Sequence, residues 1–231
     1  MAYALLDTVI GSQSIGNFFA PDTVQRQVLG TRTSGVDNYW GGGDFIYLKA
    51  GATIAMGALC VQDLNGNASA VANVGNTGRP VVAAMFPMVT GQFGWFQDGG
   101  MAALSATASV AAGVTFGLTA AGQVGANSAG KQILGAVSAA PSTTTVIKAS
   151  ALTVSGSNAI VVANSDGWFI GVTVSGTGIP ATTTITSITP DGKNVTLSAN
   201  ATASGVVTLT GTYTNFIIAQ LSSAFVQGQI L

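Results

Sequence analysis

The sequence predicts an all-β protein, with an extended N-terminal arm, a β-barrel or sandwich-like domain and a second small β-sandwich. Three observations carry this. Short apolar runs recur between turn residues. Thr and Val alternate over the second half. No segment carries a long amphipathic period of 3.6 residues.

Residues 1–44 differ from the rest. They hold six of the fifteen charges (Asp7, Asp22, Arg26, Arg32, Asp37, Asp44) and the aromatics Phe18, Phe19, Tyr39 and Trp40. No period of 2 or 3.6 is sustained there. The segment reads as an extended arm ordered by what it lies on, or else as an irregular part of the same domain. Pro21-Asp22 suits the start of a short helical turn. Gly41-Gly42-Gly43 marks the end of the arm, as a hinge or a close backbone approach.

Residues 45–141 read as the main β domain. Phe45–Leu48, Ala58–Val61, Pro80–Phe86, Phe93–Phe96, Val114–Phe116 and Gln132–Val137 are candidate strands. Asn65-Gly66 is a strong hairpin signal. Ala52–Gly57 is echoed by Ala108–Gly113, and a further glycine, Gly66 or Gly122, stands nine residues beyond each copy. Two similar hairpin units within one domain would produce this echo. Residues 142–213 are dominated by Thr, Val, Ser, Ala and Gly. There, Thr184–Thr189, Pro190-Asp191-Gly192 and Asn194–Ser198 spell strand, turn, strand. Residues 214–231 return to the apolar character of the main domain. The 142–213 module is therefore either an insertion before the last strand or one unit in a serial arrangement.

Charge and missing residue types bound the chemistry. Charged residues make up 6% of the 231, with a net charge of −1, against about 25% in an average soluble protein. The long uncharged stretch between Asp98 and Lys131 is rich in Ala, Gly, Ser and Thr, which disfavours a lipid-spanning helix. The four Lys and three Arg are scattered, so no basic cluster is offered to nucleic acid. Neither His nor Glu occurs. A Ser–His or Cys–His pair is thus impossible within the chain, and so is a His/Cys zinc site in one copy. We expect no catalytic residues, no metal and no cofactor. Met1–Asp7 lacks a basic segment and a long apolar run, so no secretory signal is expected.

Individual motifs have plain structural readings. Cys60 lies in the apolar run Ala58–Val61 and reads as a buried hydrophobe. Asp63–Asn67 looks like a fragment of a calcium loop but lacks the closing Glu, and reads as a hairpin turn. Trp40, Trp95 and Trp168 could form a sugar-stacking surface, but scattered aromatics belong more often to cores or interfaces.

Two stretches carry a resemblance. Gly176–Pro180, Thr183–Ile185 and Asn194–Thr202 resemble a module that recurs in virion proteins of tailed phages. Gly51–Val61, Pro80–Ala84 and Lys131–Val137 resemble the small capsid decoration (cement) proteins of such phages, through glycine and apolar spacing. The resemblance implies a β-rich structural protein on the capsid exterior, made in the host cytoplasm. It also implies self-association as a homotrimer and the major capsid protein as partner, with no nucleic acid and no membrane. On this view Phe18, Phe19, Tyr39 and Trp40 are the interface candidates. A host-glycan adhesin and a tail-tube, baseplate or fibre component are the rival readings.

Overall fold

A computed structural model describes residues 20–228, together with the backbone of Ala4 and Leu5. The protein is all-β: every regular element among the described residues is a strand. Two compact units are present. One holds Thr143–Thr214; the other holds the described residues up to Ser142 and from Asn215 onward.

The main unit begins with β1 (Ala4–Leu5), β2 (Arg32–Asp37), β3 (Gly41–Ala50), β4 (Leu59–Gln62) and β5 (Asn67–Ala70). It continues with β6 (Val82–Ala84), β7 (Phe93–Ser105), β8 (Gly117–Ala120), β9 (Gln123–Gly125) and β10 (Ile133–Ala140). The second unit supplies β11 (Thr145–Thr153), β12 (Ala159–Val161), β13 (Thr173–Gly176), β14 (Ile185–Ile188), β15 (Asn194–Leu197) and β16 (Gly205–Thr212). The chain then returns to the main unit as β17 (Phe216–Val226).

Nine strands of the main unit form one sheet in the order β1-β2-β3-β5-β4-β6-β7-β17-β10. A direct β3–β7 pairing closes β3-β5-β4-β6-β7 into a ring. Both faces of the β3–β7 pair are buried: Phe45, Tyr47 and Trp95 share one, and Ile46, Leu48 and Phe96 the other. On the β7–β17–β10 side, Leu104, Ile217, Ala219 and Ile133 meet Phe116, Leu118 and Val124 from around the β8–β9 hairpin. The excursion to the second unit needs no long linker. Ala140 pairs with Ile218, so the chain leaves and re-enters on adjacent strands.

The repeat seen in the sequence has a structural counterpart. Gly57 and Gly113 share a left-handed backbone, as do Gly66 and Gly122, and in each copy the strand between the two glycines opens a hairpin, β4–β5 or β8–β9. Gly122 also joins the two copies. Its carbonyl accepts from Leu59 N–H at 2.9 Å, and its own N–H donates to Val71 O at 2.8 Å.

Three expectations need correction. Residues 32–44 are not arm: β2 and the first part of β3 form a regular antiparallel hairpin of the main sheet. Glycine at 41, 42 and 43 hid this strand because it has low intrinsic strand preference. The space it leaves is what β3 requires, since Gly43 lies opposite Gly100 of β7. Likewise Pro21-Asp22 starts no helix; Asp22 forms an antiparallel bridge with Phe93. Val114–Phe116 forms no regular strand either, although the carbonyls of Val114 and Phe116 accept from Ser138 and Ile133 of β10.

The second unit is one six-stranded sheet in the order β13-β16-β11-β12-β15-β14. Its edges bond to each other: Ile185 N–H donates to Val172 O at 2.9 Å, and Val174 N–H to Thr183 O at 2.8 Å. This leaves those edges little backbone to offer another strand. Trp168, Phe169 and Tyr213 are buried among aliphatic side chains. Trp168 Nε1 donates to Val146 O at 3.0 Å, and Tyr213 OH to Gly167 O at 2.7 Å. Gly211 must be glycine, because a Cβ there would lie 2.4 Å from Trp168 Nε1.

Candidate functional site

Of the four expected interface residues, Phe18 and Phe19 lie outside the described residues. Tyr39 and Trp40 occupy the tip of the β2–β3 hairpin. The tip is built from Asp37, which is buried. Its Oδ1 accepts from the backbone N–H of Tyr39 and of Trp40, each at 2.8 Å. This Asx-type turn fixes the backbone, and Gly41 follows in the left-handed region. The Trp40 ring meets Tyr39 edge-on, with centroids 4.7 Å apart. Tyr39 is thereby held up with half its surface in solvent, and Val36 beside it is exposed. A pre-ordered aromatic of this kind can bury area on a partner at little further entropic cost.

A second apolar point lies at the far end of β3. Lys49 N–H donates to Gly66 O at 3.0 Å, which docks the β4–β5 turn there. Leu64, at that turn, is fully exposed. Leu29 packs on Gly66, and its neighbour Val28 is also exposed. Asp63 holds the turn: its Oδ1 accepts from the N–H groups of Asn65 and Asn67, and its Oδ2 from Asn67 Nδ2, all at 2.8 Å. These bonds from Asn67 pull the Asp63 carboxyl below its ordinary range. With its oxygens committed to the turn, Asp63 has the role expected of a hairpin residue. The ten residues of β3 separate the two apolar points by about 30 Å of strand.

Between them, β2, β3, β7 and β17 line an open polar cleft of about 710 Å³. Arg32 is ion-paired with Asp98, and Ser34 Oγ donates to Asp44 Oδ1 at 2.7 Å. Glycine forms the floor because β3 and β7 approach closely. A Cβ at Gly99 would come within 2.8 Å of Asp44 Oδ2, and one at Gly100 within 2.3 Å of Gly42 O. Sequence reading missed this cleft, since its glycines look like breaks between strands.

Sequence reading also missed how residues 20–31 are fastened down. Buried Asp22 accepts from Arg26 Nε at 2.8 Å and from Tyr47 OH at 2.9 Å. Burial pushes the Tyr47 phenol up to about 12. Tyr47 sits in an apolar run, and nothing in that run signals its partner 25 residues away.

The other singled-out residues are structural. Trp95 and Trp168 are core residues, so the three tryptophans form no common sugar-stacking surface. In the second unit all three aromatics are buried. Cys60 is buried, and burial pushes its thiol up to about 12. Among the described residues no three Cys or Asp side chains gather closely enough to hold a metal ion. No family model, curated protein or solved structure matches the chain.

Proposed function

We propose that this chain is a structural virion protein that attaches to the outside of a phage capsid and stabilises it by bridging subunits. The observation that carries the reading is the pair of exposed apolar points, Tyr39 with Val36 and Leu64 with Val28, at opposite ends of β3. A bridging protein needs contacts spaced on the scale of neighbouring subunits, presented by an element that does not bend between them. β3 supplies that element, because it is hydrogen-bonded to β2 and β7 on its two flanks.

Composition supports the same reading. A charge-poor surface with net charge near zero favours contact between proteins and suits a protein held at high local concentration in an array. The phage-like stretches Gly51–Val61, Pro80–Ala84 and Lys131–Val137 fall on the strands and turns of the main sheet, where they build the scaffold behind the contact points. Binding energy then comes from apolar area at about 25 cal/mol per Å², multiplied by avidity when copies self-associate as a homotrimer around a symmetry axis.

The number of copies per particle tests this. Quantitative mass spectrometry of purified virions should give hundreds of copies. A count matching one tail or one baseplate would reassign the chain to a tail-tube, baseplate or fibre part.

A further inference from the structure

The second unit holds a lysine, an asparagine and an aspartate in an arrangement that packing alone does not require. β11 is irregular at its centre, with a bulge between Lys148 and Ala151 and Ser150 in the left-handed region. β12 meets β11 only at Leu152 and Val161. Before the bulge, the flank of β11 away from β16 is taken by the loop Asn164–Trp168. Trp168 Nε1 fastens that loop to Val146 O. Lys148 Nζ donates to Asp166 O at 2.6 Å and to Asn164 Oδ1 at 2.9 Å. Asn164 Oδ1 also accepts from the backbone N–H of Asp166 at 3.2 Å.

We propose that Lys148 and Asn164 join in an intramolecular isopeptide bond. The Lys148 Nζ lone pair attacks Asn164 Cγ. Negative charge gathers on Oδ1, where the Asp166 N–H already points and acts as an oxyanion donor. The bond from Cγ to the carboxamide nitrogen then breaks, and that nitrogen leaves as ammonia with a proton released from Nζ. The step neither oxidises nor reduces any group and needs no co-reactant. Proximity supplies its main advantage, since the amine and carboxamide are held in contact by the fold.

The amine must be neutral to attack. Burial lowers the Lys148 pKa from its ordinary value, while the charge of Asp166 works in the opposite direction. At mildly alkaline pH solvent takes the proton that frees the amine, and Asp166 holds the pair through its backbone, whose carbonyl accepts from Nζ and whose N–H donates to Asn164 Oδ1. The product would lock the 164–168 loop, which stands in for a missing strand, onto β11 by a covalent bond. Such a cross-link restricts the unfolded chain and resists force. The inference is independent of capsid attachment.

The test is the intact mass of the purified full chain, held at mildly alkaline pH and followed over days. The expected product is lighter by one ammonia, and proteolysis should release a branched peptide joining the Lys148 and Asn164 segments. Lys148→Arg and Asn164→Ala should each keep full mass. A wild-type chain that stays at full mass overturns the proposal. So does an ammonia-deficient species that persists in Lys148→Arg, which would be a succinimide, with Asn65-Gly66 as its expected source.

Discussion

Gly100→Ala tests the close approach of β3 and β7 that shapes the main unit. Gly100 has φ +85, and an added Cβ would sit 2.3 Å from Gly42 O and 2.8 Å from the Cα of Gly43. Two costs combine. An L-residue in the left-handed region costs about 1–2 kcal/mol, and forcing a methyl into a filled contact costs about 1–3 kcal/mol more. Gly91→Ala separates them, because Gly91 has φ +92 with nothing within 4 Å of the added atom. It should lose only the backbone share, about 1–2 kcal/mol. Gly100→Ala should lose about 2–5 kcal/mol. Hydrogen exchange of β3 and β7 peptides across a urea series reports the main unit separately from the second unit. If the two variants are destabilised equally, the strands are not in the contact described here, and the glycine floor of the cleft has another origin.

Three further outcomes are expected. Tyr39→Ala and Leu64→Ala should each leave folding within about 0.5 kcal/mol of wild type, as exposed positions do, yet reduce retention on capsids in a sedimentation assay; full retention in the double variant would remove both points from the interface. Asp63 has a depressed pKa in the folded chain, so its contribution is present above the ordinary aspartate range of about 4 and is lost as pH falls through the lower folded value. Asp63→Asn should therefore flatten the acid limb of β4–β5 exchange protection, and an unchanged limb would show that the turn does not depend on this carboxylate. Cys60 should resist a thiol reagent in the native state and react fully in denaturant; native labelling would contradict its burial within β4.

The all-β class was legible because its signals are local. Apolar runs such as Phe45–Leu48 and Ala58–Val61, and the turns at Asn65-Gly66 and Pro190-Asp191-Gly192, depend on residues only a few positions apart. The repeated glycines at 57 and 113, and at 66 and 122, were readable for the same reason, because each meets a local demand for positive φ. Missing residue types were equally plain: a chain without His or Glu limits its own chemistry however it folds.

Tertiary structure alone decided what the glycines at 41–43 and 99–100 do. In sequence they mark breaks. In the fold they let β3 and β7 run through one another's closest approach, and only the partner strand makes that visible. The same holds for Asp37, which read as part of an extended arm but is buried and builds the Tyr39 tip. It holds for Tyr47, which finds Asp22 across the sheet, and for Lys148, which finds Asn164 across a bulge. The Tyr47 and Lys148 contacts join residues distant in sequence, and register and strand order, which set such contacts, are properties of the whole sheet.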